Sequence, residues 1–163
     1  MEIYLQRHGI AEFGHAGLHD AERELTPEGA ARLKAVLKLA RHAGVKPSLI
    51  LTSPYRRAVQ TAELAAEILG YHGELIRCDA LRPMAAPEAA WEEIRLHKHL
   101  PSVYLAGHEP LLGRLAAHLT GAPSLQVDFK KGALVRIDVE RLPAQPSGVL
   151  KWMLAPKLAT AIL

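Results

Sequence analysis

Residues 49–62, with the sequence LILTSPYRRAVQTA, join a short apolar run to a helical pattern. The apolar run from Leu49 to Leu51 is typical of a buried strand. After it, apolar residues recur at the three- and four-residue spacing of an amphipathic helix, and Gly70 ends that pattern. The apolar positions of this helix are Val59, Ala62, Ala66 and Leu69.

The same strand-then-helix unit lies on both sides of this stretch. An apolar run at 3–5 precedes a polar loop and a helix that ends near Gly44. Thr26 is suited to cap this helix and Pro27 to its first position, and Ser53–Pro54 predicts the same kind of start for the second helix. Further strands are predicted at 74–77, 102–106, 133–139 and 149–154, and further helices at 87–100 and from Pro110 to Gly121.

Repeated strand–helix–strand units predict an α/β fold in which helices cover both faces of a mostly parallel sheet. We expect a three-layer α/β/α sandwich. The length of 163 residues suits one domain spanning 1–163, and a hydrophobic fraction of 49% excludes general disorder. In such sheets ligands bind in the crevice at the carboxyl ends of the strands.

The composition narrows the classes of partner. Lys and Arg outnumber Asp and Glu by only 20 to 17, an excess that suits an anionic substrate without requiring one. The basic pairs Arg56–Arg57 and Lys130–Lys131 stand alone and aromatic residues are scarce, so we expect no nucleic-acid partner.

Because Cys78 is the only cysteine, an internal disulfide and a cysteine zinc site are both excluded. No apolar run approaches the length of a membrane span, and we expect a cytoplasmic protein with no membrane association.

Three predicted strand ends carry residues that suit a phosphate. The first strand ends at Arg7–Gly9, the second leads to Arg56 and Arg57 in the first turn of a helix, and the fourth ends at Gly107–His108. Because parallel strands end at one edge of a sheet, we expect these residues to converge. Helix N-termini and arginine side chains both bind phosphate well. A lone histidine is usually a surface or core residue, and an arginine at a helix start is usually solvated. The prediction of a phosphate site therefore depends on suitable residues occurring at all three strand ends.

The residues at these strand ends resemble a known family. Leu5–Gly9 resembles the signature of the histidine phosphatase superfamily, also called phosphoglycerate mutase-like. Ser53–Ala62 resembles its second motif, in which a serine is followed four positions later by Arg-Ala and then by a threonine. That register selects the second arginine of the pair, Arg57, as the phosphate ligand. Arg23–Gly29 and Gly107–Gly113 make the resemblance greatest to the SixA-like phosphohistidine phosphatases, and it covers nearly the whole chain.

The resemblance implies a covalent reaction without cofactor or metal. His8, as a neutral imidazole, attacks phosphorus and becomes phosphohistidine, which water then cleaves. The other ring N–H of His8 needs an acceptor, and we expect a backbone carbonyl near Gly9. Arg7, Arg57, His108 and Gly9 are expected to bind the phosphoryl group, and Gly9 is also expected to permit a close turn under the His8 ring. His108 is useful there as a cation, and a bound dianion raises its pKa.

The sequence departs from one feature of the superfamily. Members that cleave alcohol esters carry a carboxylate after the third strand that protonates the leaving oxygen. Here Leu81–Pro83 stands at that place, and Asp79 and Glu88 are only distant alternatives. A phosphohistidine protonated on its ring expels neutral imidazole and needs no further proton. We therefore expect a phosphohistidine-bearing protein as substrate, such as a phosphocarrier or signalling domain, or an aryl phosphate with a good leaving group.

Other mechanisms lack their sequence patterns. A cysteine phosphatase needs an arginine six positions after Cys78, where Met84 stands, and no nucleotide-binding glycine loop or zinc-binding His-Glu-x-x-His helix occurs.

Two alternatives stay open: a small-molecule phosphomonoesterase of the same superfamily, and a non-catalytic phosphate-binding module. Because the segment 79–86 is short and no long insertion follows a strand end, we expect an open crevice without a lid, bordered by the loop Ile10–Asp20.

Overall fold

The structure is a computed structural model that describes residues 1–162. Within these residues, six strands and five α-helices alternate along the chain, except that the last two strands follow each other directly. The strands are β1 (Glu2–Arg7), β2 (Ile50–Thr52), β3 (Leu75–Arg77), β4 (Ser102–Gly107), β5 (Leu134–Asp138) and β6 (Val149–Leu154). The helices are α1 (Pro27–His42), α2 (Arg56–Leu69), α3 (Pro87–Arg95), α4 (Leu111–Leu119) and α5 (Pro156–Ile162). Short 3-10 turns lie at Asp20–Glu22 and Asp79–Leu81.

The strands form one sheet in the order β3-β2-β4-β1-β5-β6. The first four of these run parallel to each other, and β5 runs antiparallel to both β1 and β6. The prediction of a mostly parallel sheet is confirmed. The carboxyl ends of β1, β2 and β4 therefore lie at the same edge of the sheet.

Helices cover both faces of the sheet. Alternate residues of β1 point to opposite faces, as the two-residue period of a strand requires. Ile3 joins a core with Trp91 of α3 and Leu112 of α4, whereas Tyr4 joins a second core with Leu33 of α1. The helices α1, α2 and α5 thus share one face and α3 and α4 the other, which confirms the three-layer sandwich.

The two predicted helix starts turn out differently. The hydroxyl of Thr26 accepts a hydrogen bond from the Gly29 N–H at 3.0 Å, so the predicted cap of α1 is confirmed. The start predicted for α2 is wrong, because the helix begins at Arg56 after Tyr55 and has no side-chain cap. Ser53 lies before the helix with its hydroxyl buried in the interior.

Two helices differ from the predicted pattern. The helix predicted over 87–100 ends at Arg95, since the chain must turn before Pro101 to enter β4. The helix α5 was not predicted, because its seven residues are too few for a clear helical period. It packs against α1 beside the end of the sheet.

Among residues 1–162, no helix has the length and apolar character that crossing a bilayer requires.

The start of α1 touches the turn that follows β1. A Cβ atom on Gly29 would lie only 2.1 Å from the carbonyl oxygen of Ile10, so this position has room for glycine alone. The Thr26 N–H donates to the same carbonyl at 2.9 Å. On the preceding turn, a Cβ on Gly9 would lie 2.6 Å from the Leu33 side chain. Gly9 therefore permits a close approach of α1, and the turn after β1 is held in place.

Candidate active site

The structure brings Arg7, His8, Arg57 and His108 together at the carboxyl edge of the sheet, and we call these four the central cluster. Arg7 and His8 come from the end of β1, Arg57 from the first turn of α2, and His108 from the residue after β4. The two imidazole rings have centroids 5.0 Å apart, and Nε of Arg57 lies 3.3 Å from Nε2 of His8. The exposed fractions are 6% for His8, 5% for Arg57 and 1% for His108.

The imidazole of His8 is held in one orientation. Its Nδ1 lies 2.7 Å from the carbonyl oxygen of Gly9, to which it donates as an N–H. Nε2 therefore carries the lone pair, and it accepts a hydrogen bond from Nε of Arg57. Burial, followed by the charges of Arg57 and Arg7, lowers the pKa of His8 to about 3, although the bond to Gly9 acts in the opposite direction. His8 is thus a neutral imidazole near neutral pH, with its free nitrogen directed into the cluster.

Arg57 is fixed by partners that the sequence analysis did not single out. Its Nη1 donates to the backbone carbonyl of Asp20 at 2.7 Å, and its Nη2 donates to the Asp20 carboxylate at 3.1 Å. The Tyr55 ring lies 5.1 Å from the guanidinium carbon. The acidic residue Asp20 can be read from the sequence, but its position over Arg57 depends on how the loop before α1 folds.

The neighbouring Arg56 points away from the cluster. Its side chain is 45% exposed and pairs with Glu24 at 3.2 Å and with Glu63 at 3.9 Å. The side chain of Arg57 is only 6% exposed. Consecutive helical residues point about 100° apart, which separates the two guanidinium groups. The geometry agrees with the register that selected Arg57.

His108 is bonded to the residue that was expected to cap α2. Its Nε2 lies 2.8 Å from the hydroxyl of the buried Ser53, and the edge of the Tyr55 ring packs on it with centroids 5.1 Å apart. Nδ1 has no hydrogen-bond partner among the described residues. Burial, followed by the charges of His8 and Arg57, lowers the pKa of His108 to about 2. His108 is therefore neutral in this arrangement, and a nearby anion is needed to make it a cation.

Arg7 keeps a donor for a ligand. Its Nη1 donates to the carbonyl of Phe129 at 2.6 Å, which fixes the guanidinium. Its Nε is buried and has no partner among residues 1–162. Burial lowers the pKa of Arg7, while the charge of Glu109 acts to raise it. A buried N–H without a partner is costly, and an oxyanion in the cluster would satisfy it.

Gly9 is placed differently from the other predicted ligands. Its N–H donates to the hydroxyl of Thr61 at 3.3 Å, and that hydroxyl donates to the carbonyl of Arg57 at 2.7 Å. The threonine of the second motif thus ties the turn after β1 to α2. With its N–H directed at Thr61, Gly9 is left without a donor for a phosphate.

The distant carboxylates named from the sequence lie outside the cluster. Asp79 is 79% exposed at its side chain and pairs with Arg82 at 2.9 Å. Glu88 lines a surface cavity that Glu109 also lines. Among the described residues, no group of three or more His, Cys, Asp and Glu side chains is arranged to hold a metal ion.

Two other carboxylates lie at the border of the cluster. Partial burial acts to raise the pKa of Asp20, but hydrogen bonds from Arg23 and Arg57 outweigh it and lower the value. Burial raises the pKa of Glu109, whose Oε1 accepts the Gly113 N–H at 2.6 Å. Glu109 is therefore more disposed than Asp20 to carry a proton. Its position directly after His108 was the available sequence signal.

The loop before α1 does more than border the crevice. Because Asp20 bonds to Arg57, this loop covers part of the cluster, and the expectation of a fully open site needs that correction. The side chain of Asp20 is itself 57% exposed, so the cover is a single residue at the surface.

Known proteins are similar to this chain in sequence. The sequence pattern of the family described as the histidine phosphatase superfamily (branch 1) matches residues 3–100, which is more than half of the chain. An uncharacterised protein of a Picosynechococcus species is 34% identical over 161 residues, covering 96% of this chain and 98% of that protein. The phosphohistidine phosphatase SixA of Escherichia coli is 25% identical over 167 residues, covering 99% and 100%.

Solved structures share the fold. The protein histidine phosphatase SixA complexed with tungstate superposes with a TM-score of 0.87 at 24% identity, covering 97% of this chain and 99% of that one. An alpha-ribazole phosphatase from Shigella flexneri superposes with a TM-score of 0.72 at 18% identity, covering 96% and 97%. At these identities the structural likeness defines the fold and leaves the substrate open.

Proposed function

Because this chain belongs to the histidine phosphatase superfamily, we propose that it hydrolyses phosphohistidine on a protein through a phosphohistidine intermediate on His8. The observation that carries the proposal is the orientation of His8. Its Nδ1–H is bonded to the Gly9 carbonyl, so Nε2 carries the lone pair and accepts a hydrogen bond from Nε of Arg57 within the central cluster. The similarity to a phosphohistidine phosphatase over the full chain supports the choice of substrate.

In the first step, Nε2 of His8 attacks the phosphorus atom in line with the bond that breaks. The P–N bond to the substrate imidazole breaks, and its electron pair leaves with that imidazole. If the substrate ring is protonated, the leaving group is neutral imidazole and needs no proton from the enzyme. Arg57 shifts its Nε from His8 to a phosphoryl oxygen as the new P–N bond forms.

The remaining cluster residues hold the phosphoryl group. The Nε of Arg7 is free to donate, and Nδ1 of His108 is the ring atom without a partner. A phosphoryl dianion beside His108 opposes the effect of burial and favours the protonated imidazole. Fixed donors around the phosphoryl oxygens stabilise the charge of the transition state.

In the second step, water attacks the phosphorus of phospho-His8. The P–N bond breaks, its electron pair returns to Nε2, and phosphate leaves. The bond from Nδ1–H to Gly9 persists through both steps and keeps the ring in place. This step regenerates neutral His8, which is the form that its buried position favours.

Trapping of the intermediate tests the covalent step. The protein is incubated with a phosphohistidine protein labelled with ³²P and denatured at alkaline pH, where phosphohistidine survives. We expect label on the wild type and none on His8→Ala. A protein that binds phosphate without catalysis would show no label in either form, and that result would contradict the proposal.

Comparison of substrates tests the substrate class. Asp20 covers part of the cluster but is itself 57% exposed, so we infer that a side chain on a protein surface can reach the cluster, whereas a small molecule would not be enclosed. We expect kcat/KM for a phosphohistidine protein to exceed that for any sugar phosphate by well over tenfold, which corresponds to more than about 1.4 kcal/mol of transition-state binding. A sugar phosphate that is hydrolysed as efficiently as the phosphoprotein would contradict this choice.

A phosphomonoesterase is the second candidate function, and the observation that favours it is Glu109. Its raised pKa and its position after His108 make it a carboxyl group able to protonate an alkoxide. If the natural substrate is an alcohol ester, Glu109→Gln should reduce its turnover by about 100-fold while aryl phosphates react normally. If the substrate is phosphohistidine, the same variant should lose less than about threefold, because imidazole leaves without help.

A further inference from the structure

A group of basic side chains lies next to the central cluster, and the proposed reaction uses only Arg7 among the residues that border it. We call the other four the basic patch. Together with Arg7 they line a surface cavity of about 550 Å³, and no acidic residue of the described chain lines it. The basic patch consists of Arg32, Lys130, Lys131 and Lys157.

The backbone that carries the two adjacent lysines is fixed against the catalytic strand. The N–H of Gly132 donates to the carbonyls of Arg7 at 3.1 Å and His8 at 3.0 Å. The side-chain amide of Gln6 donates back to the Gly132 carbonyl at 3.1 Å. Gly132 has a φ of +82°, which favours glycine at this sharp turn. Lys130 and Lys131 are thus held on a loop that is hydrogen-bonded to the backbone of Arg7 and His8.

Two other elements complete the basic patch. Arg32 comes from the first half of α1 and Lys157 from the start of α5, which packs on α1. A Cβ on Gly132 would lie 3.3 Å from the Pro156 side chain, so the loop and α5 are in close contact. Three separate elements therefore bring positive charge to one side of the central cluster.

The basic patch keeps a net positive charge after its ion pairs are considered. Arg32 pairs with Glu28 at 2.6 Å and Lys130 with Asp128 at 3.0 Å. Lys131 and Lys157 form no ion pair within residues 1–162. The whole chain has a net charge of only +3, so this surface holds much of the excess.

We propose that the basic patch docks an acidic surface of the substrate protein, adjacent to its phosphohistidine. The inference rests on the proposed function and names the kind of partner that the site accepts. The side chain of Lys130 is 67% exposed and that of Arg32 49% exposed. Exposed side chains spread over three elements suit several carboxylates on a protein surface better than one compact anion.

Two synthetic phosphopeptides test the docking surface. Each carries one phosphohistidine, flanked on both sides by three glutamates in the first peptide and by three glutamines in the second. Binding is measured by fluorescence anisotropy on His8→Ala, which cannot turn the peptides over. We expect the glutamate peptide to bind about tenfold more tightly at 0.1 M salt, with the preference lost at 1 M salt, where the Debye length is about 3 Å.

A charge-reversal variant and a matched control locate the effect. Lys130→Glu combined with Lys157→Glu should abolish the preference for the glutamate peptide and leave binding of the glutamine peptide within about threefold. The control combines Lys38→Glu with Lys98→Glu, two exposed lysines from the end of α1 and from the turn before β4. This control carries the same change in net charge and should keep the preference.

The outcomes separate this inference from the proposed function. Equal binding of the two peptides, or equal loss of the preference in both double variants, overturns the docking surface. If the wild type hydrolyses neither peptide but the glutamate peptide still binds more tightly through the basic patch, the proposed function fails and the docking surface stands. A preference of the same size for a small polyanion such as inorganic triphosphate over phosphate, lost in the Lys130 and Lys157 variant, overturns the choice of a protein partner.

Discussion

The central cluster and the basic patch are adjacent and both are rich in cationic side chains, but they differ in how those charges are held. Arg57 is 5% exposed and is bonded to His8 and to Asp20. Lys130 is 67% exposed at its side chain, with one surface ion pair. A buried charge with fixed partners interacts strongly and specifically, whereas an exposed one is weakened by water and salt.

The comparison assigns different tasks to the two regions. Burial keeps the two histidines neutral, and the hydrogen bond to Gly9 leaves the lone pair of His8 on Nε2, so we assign the chemistry to the central cluster. The basic patch lacks such fixed geometry and can only favour one partner over another. Changes in the central cluster should therefore alter kcat, and changes in the basic patch should alter affinity and its salt dependence.

The largest expected effect is that of His8→Ala. Removal of the nucleophile removes the reaction path itself, so we expect turnover of any phosphorylated substrate to fall by at least about a thousandfold. Circular dichroism and the thermal midpoint check that the fold is intact. Residual activity above about one thousandth of wild type would exclude His8 as the covalent nucleophile.

The adjacent arginines give the next largest contrast. Arg57→Ala should lower kcat/KM by about 100-fold or more, because it removes a buried donor to the phosphoryl group. Arg56→Ala should cost less than about threefold, since its ion pairs are exposed. Steady-state kinetics with one aryl phosphate measures both variants. Comparable losses in the two would mean that the geometry of α2 does not select the phosphate ligand.

The neutral histidines predict a dependence of stability on pH. Burial lowers the pKa of His8 to about 3 and of His108 to about 2, whereas an unfolded histidine has a pKa of about 6.5. The unfolded state therefore binds more protons below that value, and stability falls as pH decreases from about 6.5 toward 3. Between pH 7 and 5 each histidine should cost about 2 kcal/mol of unfolding free energy.

Urea denaturation at pH 7 and pH 5 measures this cost. His108→Gln should reduce the loss of stability by about 2 kcal/mol, since glutamine does not titrate. His15→Gln is the matched control, because that side chain is exposed and should leave the loss unchanged. A loss that is the same in the wild type and in both variants would show that His108 is not held neutral.

The smallest effect concerns Asp20, which places a negative charge against Arg57. A phosphoryl oxygen must compete with the Asp20 carboxylate for Nη2 of the guanidinium. Asp20→Asn keeps the backbone contact and removes the charge, so inhibition by inorganic phosphate should strengthen by about fivefold. Glu92→Gln, at an exposed position on α3, is the control for loss of one negative charge. Weaker inhibition in Asp20→Asn would mean that the carboxylate serves to orient Arg57 instead.

The sequence located those residues of the central cluster that sit at the end of a strand. Arg7, His8 and His108 follow apolar runs directly, and parallel strands bring their carboxyl ends to one edge. The prediction missed contacts that depend on how loops fold. Asp20 reaches Arg57 from 37 positions away, and Ser53 bonds to His108 from 55 positions away. Local patterns carry no information about such pairs.

The sequence by itself determined the alternation of strands and helices, the order of the phosphate-suited residues, and the register that places Arg57 rather than Arg56 in the central cluster. These features depend on short-range periodicity and on motif spacing, which are fully present in the chain. Only the tertiary structure decided the protonation of the histidines, the cover that Asp20 places over Arg57, and the gathering of Arg32, Lys130 and Lys157 on one surface. Burial and the electric field of distant charges arise from packing, so they exist only once the chain has folded.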